Sequence, residues 1–580
     1  MRLCFDTSRQ AAWQVRRCRL RDGATPGPSG RLPILGRVDD QIAAASDARD
    51  AADTGYLDSS ARGNGLARST AIFSVATAVS RVLGLAREVI VRALFGVFGP
   101  INAFEVAFLI PNTVRALVAD TAVSSAVVPV FSELLEKGER KRAWRVASSL
   151  FWLFLLGLGG LTALFILTAP WVMAPFGYHG HEAHLVVSFS RILFPIVALL
   201  GVSGIVVGIL NSYDHFTVPA LSPVFWNLAI LAGLALGVPN VHTLDAKLYV
   251  YAFSILVGTV IQVLLPFPWL RGRDDRLRVL IDIHDPAVRR VFVLMVPVTL
   301  GLGLINFNAV IDTFVGARMI DKNLAPSALT AAFRLYVLPQ GIFSVAVATV
   351  LFPRLSRLAT RKDMEGFRET VSLGLRQIAF LLVPASVICA VLAVPITRLV
   401  YQRFAFHSGQ TTIVAAALAA FSAGLTFNGT MLMLNRAFFS LQSNWIPTVV
   451  ALANLAINAA LDVAFAGFGV WGIALSTSIV NIAGTVALLV LLRRRIGSVD
   501  ERRVLGSTLR IVCASALLAA VSFFIWLGLD HVLGRSFPAQ LLSLGSALGV
   551  GLVVYLAASR LLRVQELEAV LSLRARVRRS

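Results

Sequence analysis

Four charged side chains stand inside one apolar stretch, SRVLGLAREVIVRALFG at residues 80–96. They are Arg81, Arg87, Glu88 and Arg92. Placing an arginine at the centre of a bilayer costs at least about 2.5 kcal/mol, so such residues generally face a polar or water-filled interior rather than lipid. A guanidinium group can donate two parallel hydrogen bonds to one phosphate, so this stretch favours a phosphate-bearing ligand.

Two more arginines fall within apolar runs elsewhere in the chain. Arg115 lies in the next run, and Arg334 lies in a run far along the chain. We predict a positive cavity that binds an anion and is built from Arg81, Arg87, Arg115 and Arg334. No catalytic residue is predicted, because the sequence shows no nucleophile or metal-hydrolase motif.

Acidic neighbours provide a purely structural alternative for these arginines. Glu88 and Arg92 are four residues apart and can pair on one helix face. Glu105 and Asp120 in the next apolar run could neutralise some of the other arginines. If they do, the arginine group has no ligand.

Carboxylates in the second half of the chain suggest a cation site. Asp312 lies in one apolar run, and Asn458 and Asp462 are four residues apart on one face of another. Thr477 in the following run could add a hydroxyl. Oxygen ligands from several helices suit a hard cation. The alternative is that Asp312 pairs with an arginine such as Arg334 and that Asp462 borders the aqueous edge.

The composition is that of a polytopic membrane protein. The chain has 580 residues, 57% hydrophobic and 15% charged, with a mean hydropathy of +0.75. Its net charge of +21 is carried mostly between apolar runs, so it is not a sign of nucleic-acid binding. The four cysteines show neither a disulfide framework nor metal-ligand spacing.

Fourteen apolar runs are long enough to cross a bilayer, which takes about 20 residues. Loops after even-numbered runs hold 22 lysines and arginines, against 6 in loops after odd-numbered runs. Because lysine and arginine concentrate on the cytoplasmic side, both termini are predicted to be cytoplasmic.

An internal repeat divides the fourteen runs. FLIPN with Pro111 returns 228 residues later as YVLPQ with Pro339, and Pro219 returns at the same separation as Pro447. The offset covers an even number of helices, so the repeats are parallel and a substrate should bind between them near the midplane. The fold class is therefore an all-α membrane protein with 14 helices, in two pseudo-symmetric six-helix lobes plus a C-terminal helix pair.

The predicted domains follow from this division. They are a disordered cytoplasmic tail (1–66), a first lobe (67–275), a second lobe (276–495), a helix pair (496–562) and a basic cytoplasmic tail (563–580).

Several motifs together resemble one known family. The motifs are SRVLGLARE, NAFEVAFLIPNTVRALVAD, SAVVPVFSELLE and SALTAAFRLYVLPQGIFSVAVATVLFPRLS. From about residue 68 to 562 the chain resembles the MurJ (MviN) lipid II flippases of the multidrug/oligosaccharidyl-lipid/polysaccharide exporter superfamily. It departs from the family at Asn102, where members often have Asp.

The resemblance implies a transporter rather than an enzyme, located in the bacterial cytoplasmic membrane. Its cargo would be lipid II, the undecaprenyl-diphosphate-linked disaccharide-pentapeptide, moved to the outer leaflet by alternating access. The family's important arginines match Arg81, Arg87, Arg115 and Arg334. A sodium site described for some members maps to Asp312, Asn458, Asp462 and Thr477, which makes Na⁺ a candidate coupling ion.

Other functions stay open at this point. The cargo could be another undecaprenyl-diphosphate-linked polysaccharide unit, which carries the same diphosphate. A further alternative is a non-transporting scaffold for wall synthesis, although a scaffold would not need buried arginines. Expected partners are membrane lipids and proteins of peptidoglycan synthesis.

Overall fold

The computed structural model describes residues 72, 75–118, 121–443, 445–498 and 500–567. The predicted N-terminal tail, 1–66, lies outside the described residues, as does most of the basic tail. The described part is almost entirely helical and contains no strand.

The longer helices are, in chain order, α1 (75–95), α2 (Ile101–Val118), α3 (Thr121–Glu136), α4 (Arg140–Met173), α5 (Gly180–Leu193), α6 (Pro195–Ser212), α7 (Thr217–Gly237), α8 (Leu244–Leu264), α9 (Pro286–Val315), α10 (Ala325–Thr360), α11 (Met364–Val391), α12 (Ala393–Tyr401), α13 (Ser408–Ser440), α14 (Trp445–Phe465), α15 (Val470–Ile496), α16 (Glu501–Leu533) and α17 (Phe537–Leu561). A π-helical segment, Gly316–Asp321, extends α9.

Several helices begin at residues that satisfy their first free backbone N–H groups. The side chain of Asp285 accepts from Ala287 N at the start of α9, and Pro286 occupies the first turn. Thr243 caps α8, Asp363 caps α11 and Ser536 caps α17 in the same manner. These polar caps fix the residues at which these four helices begin.

Among the described residues, eleven helical stretches are long and apolar enough to cross a membrane. Three further helical regions coincide with the predicted first, second and seventh crossings: α1, α2 with α3, and α9. The chain is a multi-pass membrane protein, and its helix order is consistent with the fourteen crossings predicted.

Buried hydrophobic side chains form three clusters that match the predicted architecture. The first joins α1–α8 with the beginning of α9, and we call this part the N-lobe. The second joins the end of α9 with α10–α15, the C-lobe. In the third, α16 and α17, the C-terminal pair, pack on α11. The predicted fold class is confirmed, whereas the domain boundaries stay predictions.

Prolines of the repeat occupy equivalent places in the two lobes. Pro111 lies inside α2 and Pro339 inside α10. Pro219 and Pro447 each lie in the first turn of a helix, α7 and α14. This correspondence agrees with the parallel repeat inferred from the sequence.

The two lobes are joined by hydrogen bonds at one end of the molecule. We call this the sealed end; it comprises residues 92–102, 321–327 and 402–410. Gly99 N donates to Asn323 O at 2.9 Å, and Ala405 N donates to Ala93 O at 3.0 Å. Gly96 has a φ of +66°, and a Cβ there would lie 2.9 Å from Ala405 O, so only glycine allows this approach.

Asn102 also belongs to the sealed end. Its Nδ2 donates to Asn323 O at 2.5 Å, and its Oδ1 accepts from Ser327 N at 2.9 Å. An ionised aspartate could accept from Ser327 N but could not donate to Asn323 O. The asparagine therefore uses both halves of its amide to join the lobes.

Candidate functional site

A cavity of about 1100 Å³ lies between the two lobes. Its wall includes residues of α1, α2, α3, α6, α7 and α8 from the N-lobe and of α9, α10, α13 and α15 from the C-lobe. Three of the four predicted arginines line it: Arg87, Arg115 and Arg334. Helices distant along the chain thus bring guanidinium groups to one space.

Arg87 is held at the N-lobe wall by an aromatic ring. Its guanidinium carbon lies 4.6 Å from the centroid of the Trp226 ring on α7. The side chain is buried, yet its Nε has no hydrogen-bond partner among the described residues. A buried donor left unsatisfied is costly, so this position favours a ligand that accepts a hydrogen bond.

Arg334 reaches the cavity from the C-lobe. Its side chain is 50% exposed, and its Nε lies 4.0 Å from Glu88 Oε2. At that distance and exposure the ion pair is weak, so the guanidinium can still bind an anion.

Arg115 is oriented by its own helix. Its Nε and Nη2 donate to Asn112 Oδ1 at 3.2 and 3.0 Å. Both residues line the cavity, so the amide fixes the guanidinium at the wall without neutralising its charge.

Arg81 differs from the other three predicted arginines. It is exposed and is absent from the residues that line the cavity. It lies against Gly341 on α10, where a Cβ would be 3.0 Å from its Nη1. In this structure the guanidinium of Arg81 thus lies against the facing helix, apart from the cavity that the other three line, and its part in binding stays a prediction.

Two acidic neighbours of the cavity arginines, Glu88 and the cavity-lining Glu105, make their short ion pairs with Arg92. Arg92 Nη2 lies 2.7 Å from carboxylate oxygens of both Glu88 and Glu105. The expected pairing of Glu88 with Arg92 is thus present, and Glu105 joins it instead of pairing with the cavity arginines. Asp120, the other candidate partner, lies outside the described residues.

The predicted cation ligands also come together. Asn458 Nδ2 donates to Asp312 Oδ1 at 2.6 Å and to Asp462 Oδ2 at 3.0 Å. Thr477 lies beside Asp312 and lines the cavity with it. The alternative pairing of Asp312 with Arg334 is not present in the described part of the chain, where Asn458 and Asn308 bond to Asp312.

The chemistry of this cluster suits a hard cation. The half-buried carboxylate of Asp312 and the fully buried carboxylate of Asp462 both accept from the amide of Asn458, an arrangement that a bound cation or a proton would stabilise. The Oδ1 of Asn458 is buried with no hydrogen-bond partner among the described residues. Carboxylate, amide and hydroxyl oxygens are the ligands that hard cations prefer.

Neutral polar side chains complete the cavity wall. They are Asn112, Ser124, Ser203, Thr259, Gln262, Asn306, Asn308 and Thr330. Amides and hydroxyls both donate and accept hydrogen bonds, which suits sugar and peptide groups. The cavity can therefore hold a polar headgroup beside its anionic part.

Sequence reasoning missed three contributors. Trp226 stacks on Arg87, Asn112 orients Arg115, and the hydroxyl of Ser476 donates to Asp462. Asn112 is three residues before Arg115, so helix periodicity could have shown it. No spacing in the sequence links Trp226 to Arg87, because the two lie on different helices.

Known proteins resemble this chain over most of its length. The family model "Lipid II flippase MurJ" matches residues 91–542, a range that contains Arg115 and Arg334 but not Arg81 or Arg87. The chain is 28% identical to the lipid II flippase MurJ of Burkholderia cenocepacia, over 81% of this chain and 92% of that protein. It is 29% identical to a probable lipid II flippase MurJ of Vibrio cholerae, over 87% and 98%.

Solved structures agree as well. A structure described as lipid II flippase MurJ in an inward closed conformation has a TM-score of 0.68 and 25% identity, covering 84% of this chain and 98% of that one. An inward-facing transporter of the multidrug resistance MATE family shares the fold, with a TM-score of 0.62 at 15% identity over 73% and 96% of the chains. The chain belongs to the lipid II flippase MurJ family.

Proposed function

We propose that this protein is a lipid II flippase whose central arginines hold the diphosphate of the lipid during alternating access. The supporting observation is the inter-lobe cavity lined by Arg87, Arg115 and Arg334, in which Arg87 has an unsatisfied buried donor. The headgroup would occupy the polar part of the cavity while the undecaprenyl chain stays in lipid. Membership of the family makes the chain a transporter rather than an enzyme.

The membrane potential would assist this transport. With both termini cytoplasmic, as proposed, outward movement of an anion gains about 2.3 kcal/mol per charge per 100 mV when the interior is negative. A doubly charged diphosphate gains twice that amount. No covalent step is needed, because the arginines only bind and orient the lipid headgroup.

The test depletes the protein in its host and complements it with Arg115→Ala or Arg334→Ala. Outer-leaflet lipid II is then measured by its accessibility to an external probe. Both variants should fail to restore it, whereas Arg191→Ala, whose Nε donates to Ile166 O on an exposed surface, should restore it. Normal outer-leaflet lipid II with both cavity variants would contradict the proposal.

The family match favours lipid II over other undecaprenyl-diphosphate-linked units, which carry the same diphosphate. Adding such units as competitors to the purified protein tests this preference. Proteins of peptidoglycan synthesis are proposed as partners in the bacterial cytoplasmic membrane, since they consume lipid II at the outer surface.

We further propose that Asp312, Asn458, Asp462 and Thr477 hold a sodium ion. The ion would neutralise the carboxylates of Asp312 and Asp462 and satisfy Asn458 Oδ1. Sodium should raise the melting temperature of the purified protein, and Asp462→Ala should abolish that increase. Asp245→Asn is the control, because the carboxylate of Asp245 bonds to His181 instead. This variant should retain the increase in melting temperature. An unchanged sodium response in Asp462→Ala would remove the site.

A further inference from the structure

Arg92 is a fully buried arginine at the sealed end, outside the cavity lining. It is held by Glu88 of α1 and Glu105 of α2, with oxygens of both carboxylates 2.7 Å from Nη2. Both carboxylates belong to the N-lobe. Burying a charge is tolerated only with close partners and further hydrogen bonds, and here two carboxylates meet one guanidinium.

The third partner of Arg92 lies in the other lobe. Arg92 Nη1 donates to the Oγ of Ser327, in the first turn of α10. The backbone N–H of Ser327 in turn donates to Asn102 Oδ1 of the N-lobe at 2.9 Å. One residue of the C-lobe is thus bonded by two side chains of the N-lobe.

We infer that Arg92 stabilises the contact between the two lobes at the sealed end. Glu105 holds the guanidinium in position, and the guanidinium donates to Ser327 of the C-lobe. When the lobes separate at this end, Arg92 keeps both carboxylates and loses only Ser327. The ion pairs therefore keep the guanidinium in the position from which it donates to Ser327. The hydrogen bond to Ser327 stabilises the conformation in which the lobes are joined at the sealed end. A hydrogen bond to a charged donor is stronger than one between neutral groups.

The test measures conformation without any substrate, so its outcome is independent of the proposed lipid II site. Spin labels are placed at His242 and Arg535, which lie in exposed loops of the N-lobe and the C-terminal pair. The four native cysteines are replaced by alanine, and the protein is reconstituted in phospholipid nanodiscs. Distances between the labels are measured by pulsed electron paramagnetic resonance.

Ser327→Ala should raise the ratio of long-distance to short-distance populations by about tenfold, the equivalent of one charged hydrogen bond. Ser190→Ala is the matched control, because this buried serine donates to Val186 O within its own helix. It should leave the distribution as in the parent protein. Both variants keep Arg92 paired with its carboxylates, so neither leaves a buried charge alone.

A second variant tests the part played by Glu105. If Glu105 sets Arg92 in place, Glu105→Gln weakens the bond to Ser327, and adding Ser327→Ala then changes the ratio by less than about twofold. Equal distributions for Ser327→Ala and Ser190→Ala would overturn the inference. Independent, multiplying effects of Glu105→Gln and Ser327→Ala would also overturn it.

Discussion

Arg87 and Arg92 lie little more than one helical turn apart on α1, yet they serve two different regions. Arg87 lines the inter-lobe cavity, stacks on Trp226 and keeps an unsatisfied Nε. Arg92 at the sealed end has two carboxylates and Ser327 as partners. The positive charge of Arg87 can thus pair with a ligand in the cavity, whereas the charge of Arg92 is neutralised by its two carboxylates. The same type of side chain is thus proposed to bind substrate in one region and maintains structure in the other.

The largest effect is expected at the sealed end. Arg92→Ala leaves the buried Glu88 and the half-buried Glu105 without their shared cation, and breaking a buried pair in this way costs about 3–5 kcal/mol. The variant should melt at a markedly lower temperature in detergent, as followed by intrinsic fluorescence. Arg87→Ala is the comparison, because it strands no carboxylate. If the two variants melt alike, the distinction between the regions fails.

Arg87→Ala should act on transport instead. We expect transport of lipid II to fall at least about tenfold, since a charge-assisted, forked contact with the diphosphate is lost. Arg87→Lys should recover part of the activity, because lysine keeps the charge but not the fork. Outer-leaflet lipid II in complemented cells is the measurement. Full activity of Arg87→Ala at normal protein levels would contradict a binding role.

Trp226→Leu should have a smaller effect on the same region. A partly desolvated cation–π contact contributes about 1 kcal/mol, so binding of lipid II should weaken about fivefold. Titration of purified protein with lipid II, read by native mass spectrometry, provides the affinity. Trp152→Leu is the control, because Trp152 donates to Arg278 O away from the cavity. An affinity equal to the control would mean that the ring does not position Arg87.

The smallest effect is predicted for Asn112→Ala. The amide orients Arg115 by two hydrogen bonds at 3.0 and 3.2 Å, but Arg115 keeps a further interaction. We expect affinity to drop about two- to threefold, in the lower range for a hydrogen bond. Asn240→Ala, whose amide bonds Leu236 O on an exposed surface, should leave affinity unchanged. A loss of affinity as large as that of Arg115→Ala would show that Arg115 is not held in a binding position without Asn112.

Much of the architecture could be predicted from local features of the sequence. Apolar runs of sufficient length require helices in a bilayer, because backbone polar groups must be satisfied within the segment. The repeated prolines at 111 and 339 indicated two similar lobes, and the structure places both inside corresponding helices. The pairing of Glu88 with Arg92 also follows from helical spacing alone.

Contacts between helices distant along the chain were decided only by the tertiary structure. The wheel of α1 could not show that Glu105 joins Arg92, that Trp226 stacks on Arg87, or that Arg81 lies against Gly341. Helical periodicity fixes the direction of a side chain relative to its own axis, but not which helix lies opposite. The sequence by itself determined which charges had to avoid lipid, and the packing of the two lobes decided which of them are neutralised at the sealed end and which line the cavity.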